Sequence, residues 1–201
     1  HARLWGVDVG EIRREVDRDA SEVAAVEVGM GPGSYTGLRV GVSMARGLCY
    51  GLGIPLIAVS GLQAMAPAAL EDFEAGILDV ETLDGTLLAP MIDARRMEVY
   101  TQVFDASLQP RTEIEAKILD GDSFADLLAD HPMLVFGNGA AKAAEVIRSE
   151  NLRWIDIQPS ARGMVPLAEK AFADRSFADT AYFEPFYLKD FVVIPSRKKF
   201  F

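Results

Sequence analysis

Cysteine and histidine are scarce in this sequence. Its 201 residues include one cysteine, Cys49, and two histidines, His1 and His131. A single cysteine cannot form a disulfide within the chain, which favours a reducing compartment such as the cytoplasm. Neither histidine has a second histidine or a cysteine at the spacing of a metal pair, so no zinc-peptidase motif occurs. We therefore expect a cytoplasmic protein with no metal site, in which Cys49 is buried as a hydrophobic side chain.

Basic residues and long apolar runs are also few. The chain has 20 Lys and Arg against 30 Asp and Glu, for a formal net charge of −10. Proteins that bind nucleic acid unaided usually present a basic surface, because phosphate contacts supply much of the affinity. The one basic cluster is Arg197-Lys198-Lys199. The apolar runs are short and interrupted by Gly or Pro, which indicates no membrane span.

Complete catalytic motifs are missing as well. Gly31-Pro32-Gly33-Ser34-Tyr35-Thr36-Gly37 lacks the Lys-Ser/Thr pair that closes a Walker A loop, and its glycines do not match GxGxxG. Gly41-Val42-Ser43-Met44-Ala45 lacks the second glycine of a serine-hydrolase elbow. The sequence therefore favours a protein without a catalytic set of its own.

One glycine-rich stretch, Val28–Gly51, organises the rest of the chain. The apolar run Val23–Val28 predicts a buried strand, and Gly and Pro after it mark a tight loop. Beyond the loop, apolar residues recur at helical spacing. They are Leu38, Val42, Ala45 and Cys49. Ser34 and Thr36 are both candidate N-caps of this helix, so the unit is strand, glycine loop, helix.

That helix contains more glycine than an isolated helix tolerates, since each interior Gly costs about 1 kcal/mol relative to Ala. Small residues form two rows, Gly37/Gly41/Ala45 and Ser43/Gly47/Gly51. Such rows let another backbone approach closely. Two sources stay open for that neighbour: the chain's own elements, or a second polypeptide held by polar anchors. The predicted partner-binding residues are Gly37, Arg39, Gly41, Ser43, Arg46, Gly47 and Tyr50.

A second candidate site lies at predicted strand ends. Asp93 ends an apolar strand, where α/β folds place ligands, and Asn138 lies in the turn Gly137-Asn138-Gly139. Together with the glycine loop they give a set that could face a nucleotide. Its members are Gly33, Ser34, Thr36, Asp93 and Asn138. Two plainer interpretations stay open: Asp93 pairs with Arg95 or Arg96, and the glycine turn caps the following helix.

The remaining pattern predicts alternating strands and helices. A strand over residues 53–59 and a helix capped by Ser60 through Leu70 imply a right-handed parallel crossover. The acidic, aperiodic residues 71–85 predict a boundary between lobes. Beyond it we expect a hairpin over 86–93 and 98–104, a helix capped by Ser123 through Ala129, and a strand over 133–136. Further helices are expected from about Ala140 to Ser149 and from Met164 to Phe172.

Several motifs together resemble the bacterial TsaB (YeaZ) family. The stretch GMGPGSYTGLRVGVSMARGLCYGLGIPLIAVSGLQAMA is long enough to be specific. Further signatures are MIDARRMEVY from Met91, GNGA from Gly137 and YFEPFYL from Tyr182. The resemblance runs through nearly the whole chain in order. It implies a subunit of the tRNA threonylcarbamoyladenosine machinery, in a family also described as glycoprotease-like.

The resemblance implies an α/β, actin-like ATPase or ribonuclease-H-like fold of two tandem lobes. We expect an N-terminal lobe over residues 1–84 and a smaller C-terminal lobe over residues 85–201, with the end of the chain packing back across it. The family opens with strands and then a helix, whereas this sequence begins at that helix, interrupted by Gly6 and Gly10. We expect the first strands to be missing from the sequence rather than from the fold, because a sheet without them would expose an edge.

By the same resemblance, the chain would be a non-catalytic scaffold that dimerises with and activates the catalytic paralogue TsaD. TsaD would transfer threonylcarbamoyl to adenosine 37 of tRNAs that read codons beginning with adenine. The ATPase TsaE would join, tRNA would be contacted only indirectly, and ATP or ADP could bind at the joint interface but not to this chain alone. Without TsaD the chain would form a homodimer. The alternative is an enzyme, a nucleotide hydrolase or glycoprotease-like peptidase, built on Asp93, Asn138 and the 33–36 loop.

Overall fold

The computed structural model describes residues 20–189, so the predicted first helix and the Arg197-Lys198-Lys199 cluster lie outside it. Its strands are β1 (Val26–Gly31), β2 (Leu56–Ser60), β3 (Leu87–Asp93), β4 (Glu98–Thr101), β5 (Phe104–Asp105), β6 (Glu115–Ile118), β7 (Met133–Phe136) and β8 (Leu152–Trp154). Its α-helices are α1 (Tyr35–Leu52), α2 (Gly61–Glu74), α3 (Ala125–Asp130), α4 (Ala140–Val146) and α5 (Val165–Ala173). Short 3₁₀ turns span Ala20–Glu22 and Ala161–Met164.

The glycine-rich stretch folds as a strand, a loop and a helix, as predicted. Ser34 caps α1, because its side-chain oxygen accepts a hydrogen bond from the Gly37 amide at 3.4 Å. Thr36, the other candidate cap, lies inside the first turn. The helix ends where Gly53 adopts a left-handed backbone with φ 67°, a common glycine C-cap. β1 and β2 pair in parallel, so α1 is the crossover between them.

One face of α1 is buried against this small sheet. Val42, Ala45 and Cys49 pack with Val28 of β1 and Leu56 of β2 in one apolar cluster. These helical positions are ones that the sequence periodicity identified. The prediction of a buried, unpaired cysteine is therefore confirmed.

The second sheet is larger and lies between two layers of helices. Within the described residues its strands are ordered β6-β4-β3-β7-β8, and β5 pairs with the start of β3. β3 and β4 form the predicted antiparallel hairpin, and β3 pairs in parallel with β7. Leu87 and Met91 of β3 join the core beneath α3 and α4, whereas Leu88 joins the core beneath α2. Burial on both faces explains why β3 is a nearly continuous apolar run.

Helix α2 connects the two sheets. It begins after Ser60, whose side chain caps it by accepting from the Gln63 amide at 3.4 Å, as predicted. It packs against β3 and against the 3₁₀ turn before α5. Gly163 of that turn lies so close that a Cβ there would be 2.0 Å from the Ala64 carbonyl oxygen.

The chain after residue 160 returns to the first sheet. Ala178 forms an antiparallel bridge with β2, and the Phe186 amide donates to the Met30 carbonyl of β1 at 2.8 Å. Lys189 forms an ion pair with Glu98 of β4. Residue 85 lies in the chain between β2 and β3, and the division into two lobes there stays a prediction. The end of the described chain contacts both sheets.

Ser123 does not cap the helix that follows it, contrary to prediction. α3 begins at Ala125, and its N-cap residue Phe124 makes no side-chain cap hydrogen bond. The Ser123 hydroxyl instead accepts from the Asp120 amide at 3.0 Å and donates to the Asp120 carboxylate at 2.8 Å. A local turn that satisfies both side chains competes with the cap for the same hydroxyl.

Some element ends differ from the predicted ones by a few residues. β1 begins at Val26 rather than Val23, because the ladder starts where the Val26 amide donates to the Pro55 carbonyl at 3.1 Å. α2 continues past Leu70 to Glu74. None of the helices in the part of the chain described has the length and apolar character needed to cross a membrane.

Candidate functional site

The solvent-facing side of α1, termed here the α1 face, carries most of the predicted partner-binding residues. Its exposed members are Thr36, Gly37, Arg39, Ser43, Gly47, Leu48, Tyr50, Gly51 and Leu52. Tyr50 is 88% exposed. Apart from adjacent residues and the helix's own backbone, a Cβ built on Gly41, Gly47 or Gly51 meets no atom of residues 20–189 within 4 Å. The described part of the chain therefore supplies no close neighbour for these glycines.

Two residues from the predicted small-residue rows and polar anchors make contacts within this chain. Ala45 is buried against the first sheet. Arg46 Nε donates to the Thr180 carbonyl at 2.7 Å, and the guanidinium also bonds the Ala181 carbonyl. Arg46 therefore holds residues 178–189, termed here the C-terminal segment, against α1. The sequence did not predict this contact, because its acceptors are backbone carbonyls.

The C-terminal segment adds aromatic rings to the edge of the α1 face. The rings of Tyr187 and Tyr35 lie with their centroids 4.8 Å apart. Burial is the main cause that raises the pKa of Tyr187, with Tyr35 adding to it and Arg39 opposing it. Tyr182, earlier in the segment, is 84% exposed. The exposed surface around α1 thus carries several tyrosines and Arg39, and both residue types are enriched at protein interfaces.

The carboxyl end of β3 holds a connected polar cluster. Asp93 Oδ1 accepts from Lys142 Nζ at 2.8 Å and from the Arg95 backbone amide at 2.6 Å. Asn138 Oδ1 accepts from the Asp93 amide at 2.9 Å. Lys142 Nζ also donates to the Glu98 carbonyl at 3.0 Å. The hydrogen bond from Lys142 is the largest cause that lowers the pKa of the Asp93 carboxyl, followed by the Arg95 amide.

Two predicted site residues, Asp93 and Asn138, are therefore in contact. The ion-pair partner of Asp93 is Lys142 rather than either arginine of the turn, since Arg95 contributes only its backbone amide. Sequence reasoning missed Lys142, which lies in α4. No sequence signal indicated it, because only the parallel pairing of β3 with β7 places the start of α4 beside the end of β3. Asp93, Asn138 and Lys142 are termed here the Asp93 cluster.

Close packing fixes the Asn138 turn against β3. Gly137 has φ 95°, and a Cβ there would lie 2.4 Å from the Met91 carbonyl oxygen. A Cβ on Gly139 would lie 3.0 Å from the Asp93 amide nitrogen. α4 follows with no side-chain cap hydrogen bond, so the side chain of Asn138 bonds β3 rather than capping the helix.

The other predicted nucleotide-facing residues lie in the first lobe. Ser34 is engaged as the cap of α1, and Thr36 is exposed in its first turn. A Cβ on Gly33 would touch the Leu38 side chain at 3.8 Å. Nucleotide binding by these residues and the Asp93 cluster stays a prediction.

Within residues 20–189, β1 pairs along one edge, and an apolar groove lies beside it. Among the described residues, its strand partner is β2. The Oε2 atom of Glu27 is shielded from solvent without a hydrogen-bond partner in residues 20–189, and burial raises the pKa of its carboxyl. The groove of about 460 Å³ is lined by Ala25, Glu27, Ile57, Val165, Ala168, Glu169, Phe172 and Ala173.

Side chains that could act as nucleophile or base are not assembled in the described chain. Cys49 is buried, its thiol lies 3.4 Å from the Pro55 carbonyl, and burial raises its pKa. His131 Nδ1 lies 3.1 Å from the Gly85 carbonyl. Residues 20–189 contain no group of three or more His, Cys, Asp or Glu placed to hold a metal ion.

Comparison with known proteins gives the relatives of this chain. A family model described as TsaD, tRNA N6-adenosine threonylcarbamoyltransferase, matches residues 1–133. The tRNA threonylcarbamoyladenosine biosynthesis protein TsaB of Haemophilus influenzae is 33% identical over 171 residues, which cover 80% of this chain and 68% of that protein. The chain belongs to the TsaB (YeaZ) family. The resemblance that its motifs predicted is confirmed.

Other relatives agree with that assignment. TsaB of Bacillus subtilis is 35% identical over 96 residues, covering 48% of this chain and 37% of that protein. A solved Pseudomonas aeruginosa structure, described as similar to peptidase YeaZ, superposes with a TM-score of 0.69 at 26% identity and covers 90% of this chain and 81% of that one. The chain has the actin-like, ribonuclease-H-like α/β fold of this family, as the motifs implied.

Proposed function

We propose that this chain is the non-catalytic scaffold subunit of the machinery that makes threonylcarbamoyladenosine at position 37 of tRNAs reading codons that begin with adenine. In this proposal it pairs through the α1 face with a TsaD-like catalytic paralogue and activates it. A TsaE-like ATPase joins the complex, and another subunit holds most of the tRNA. The relatives named TsaB support the pathway, and the match to the TsaD model fits a partner of related fold.

The observation that supports pairing most directly is the open space over the α1 glycines. Gly41, Gly47 and Gly51 lower the stability of the helix by about 1 kcal/mol each relative to Ala. Within residues 20–189 a Cβ at each would meet nothing beyond the helix's own backbone within 4 Å, so these glycines gain no close contact from the described chain in return. Small residues let a second helix approach closely, and a partner burying about 800 Å² of each subunit would supply dispersion contacts.

The absence of an assembled catalytic set among the described residues supports a scaffold rather than an enzyme. The Asp93 carboxylate is paired with Lys142 and with the Arg95 amide, so it is a poor candidate for a free general base. Cys49 is buried with a raised pKa. In this proposal the transfer chemistry belongs to the partner.

A nucleotide at the joint interface is a second proposal, favoured by one observation. Asp93, Asn138 and Lys142 meet at the carboxyl end of the parallel strand pair β3 and β7, where α/β sheets bind ligands. ATP or ADP would then contact this chain only after the partner completes the site.

Substitution of Gly47 tests the scaffold proposal. Gly47→Leu places a bulky side chain on the α1 face, where it would separate the two helices. Because Leu favours the helix, the variant alone should unfold at the same temperature or a higher one. Size-exclusion chromatography with light scattering should show loss of the complex with a TsaD-like partner. The homodimer that we propose for the free chain should be lost as well.

Ala129→Leu, at an exposed position of α3, is the matched control and should assemble normally. Unfolding of the Gly47→Leu monomer, or normal assembly with the partner, would contradict the proposal. A separate assay measures ATP turnover and peptide cleavage by the chain alone. Activity that disappears in Asp93→Ala would replace the scaffold by an enzyme.

A further inference from the structure

The tip of the β3–β4 hairpin carries two adjacent arginines in an unusual backbone conformation. Arg95 has φ 70° and Arg96 has φ 47°, both in the left-handed region that favours Gly and Asn. The turn is closed by hydrogen bonds from the Ala94 amide to the Glu98 carbonyl at 3.1 Å and from the Glu98 amide to the Arg95 carbonyl at 3.2 Å. The turn alone would therefore be better served by an Asn-Gly pair.

The acidic side chains near the turn do not neutralise these two guanidinium groups. Asp93 and Glu98, the acids that flank the turn in sequence, form ion pairs with Lys142 and Lys189 respectively. Both arginines are exposed, and no ion pair joins either of them to an acid within residues 20–189. The hairpin tip therefore presents two positive charges, although the whole chain has a formal net charge of −10.

The tip is also held in place before any ligand arrives. Asp93 anchors the Arg95 amide at 2.6 Å, and the same carboxylate is fixed by Lys142 at 2.8 Å. Asn138 accepts from the Asp93 amide at 2.9 Å. Because the backbone is fixed, only the arginine side chains lose freedom when they bind, which lowers the entropic cost of recognition.

We propose that Arg95 and Arg96 contact phosphate groups of the tRNA backbone. This inference rests on the proposed function, because it takes tRNA as the phosphate-bearing partner. It departs from the expectation, implied by the family resemblance, that this chain contacts tRNA only indirectly. Arginine presents a planar fork of donors that matches phosphate oxygens in a bidentate manner. A projecting, exposed turn suits a polymer backbone better than a free nucleotide, which needs walls around its base. Two such contacts position the RNA while the partner subunit supplies most of the affinity.

The test replaces the two arginines by the residues that suit the turn. Arg95→Asn combined with Arg96→Gly fits the left-handed backbone, so the variant should unfold at the same temperature or a higher one. Anisotropy of a labelled tRNA that reads codons beginning with adenine measures binding to the assembled complex across a salt series. The slope of log K against log salt should become less steep by about 1.5, with roughly tenfold weaker binding near 0.1 M salt, because two phosphate contacts are lost.

Arg175→Asn is the matched control, because Arg175 is also exposed and has φ 55°. It should bind tRNA as the unchanged protein does, and Arg95→Lys with Arg96→Lys should restore most of the salt slope. An unchanged slope in the Asn-Gly variant would overturn the proposal. The proposal would also be overturned if the Asn-Gly variant assembled poorly with the partner while the complex that still formed bound tRNA with unchanged affinity. The turn would then contact the partner protein rather than the RNA.

The proposed function and this inference fail in different ways. If no complex with a TsaD-like partner forms, the scaffold proposal fails, and the salt series is repeated on the chain alone at higher concentration. A smaller slope in the Asn-Gly variant would then still support the phosphate contact. An equal slope would overturn it.

Discussion

The α1 face and the Asp93 cluster use glycine in opposite ways. A Cβ on Gly47 would meet nothing within 4 Å in the described chain, whereas a Cβ on Gly137 would lie 2.4 Å from the Met91 carbonyl oxygen. In the turn, glycine is required because the chain's own backbone fills the space. On the helix, the same residue leaves a space that residues 20–189 do not fill. Glycine content alone therefore does not distinguish internal packing from an interface.

Polar side chains also face solvent on the α1 face but bond within the chain in the Asp93 cluster. On the α1 face, Arg39 and Ser43 are exposed. In the Asp93 cluster, Asp93, Asn138 and Lys142 bond one another and the adjoining backbone. The cluster is thus already satisfied internally, while the helix face has polar groups available to a partner.

The largest expected effect is at Gly137. Gly137→Ala introduces a Cβ at positive φ against a backbone oxygen, so we expect a loss of about 2–4 kcal/mol in the free energy of unfolding. Urea denaturation followed by circular dichroism measures it. A loss below about 1 kcal/mol would mean that the turn relaxes, and the contrast with α1 would weaken.

A smaller effect is expected from Lys142→Met. Lys142 is largely buried and pairs with the half-exposed Asp93, so the loss should be about 1 kcal/mol at neutral pH. The folded-state pKa of Asp93 is lowered, so this stabilisation is present above the unfolded pKa of about 3.9 and is lost as pH falls through the lower folded value.

The two unfolding curves should therefore converge in acid. Urea titrations at pH 7 and at pH 3 measure the difference between the unchanged protein and Lys142→Met. Lys170→Met, which breaks an exposed ion pair with Asp174, is the control and should change nothing measurable. A difference that persists undiminished at pH 3 would show that Lys142 acts through packing rather than through Asp93.

A gain in stability is expected at Gly47. Gly47→Ala should raise the free energy of unfolding by up to about 1 kcal/mol, because Ala favours the helix and its Cβ meets no described atom. The same urea titration measures it. Destabilisation instead would mean that the glycine row is covered within the chain, and the partner proposal would lose its main support.

The smallest effect on stability is expected from Ser43→Cys, an exposed substitution that should stay within about 0.5 kcal/mol. Its value lies in labelling. In the unchanged protein Cys49 is 1% exposed and should resist a thiol reagent until the protein unfolds. The added thiol should react at once when the chain is alone and become protected when the TsaD-like partner binds. Equal reactivity with and without the partner would place Ser43 outside the interface.

The glycine-rich stretch was predictable because its signals are local. Ser34 caps the helix by accepting from an amide three residues on, and Val42 and Cys49 are buried at helical spacing. Such contacts lie within one turn or one face of a single element, where periodicity and capping rules apply. The family motifs supplied the fold.

Long-range pairing was not predictable in the same way. The partner of Asp93 proved to be Lys142, separated from it by 49 residues, because parallel pairing of β3 and β7 brings α4 to that strand end. Arg46 was predicted to anchor a partner, but it bonds carbonyls of the C-terminal segment. Backbone acceptors carry no side-chain signature, so a sequence pattern cannot indicate them.

The C-terminal segment contacts both sheets and links them. Hydrogen bonds from Arg46 of α1 and to the Met30 carbonyl of β1 hold it on the first sheet. The ion pair of Lys189 with Glu98 of β4 holds it on the second. A shift of one sheet relative to the other would break at least one of these hydrogen bonds or the ion pair. Because Arg46 donates to backbone carbonyl oxygens, substitution of Thr180 or Ala181 should leave these hydrogen bonds in place, whereas substitution of Arg46 removes them.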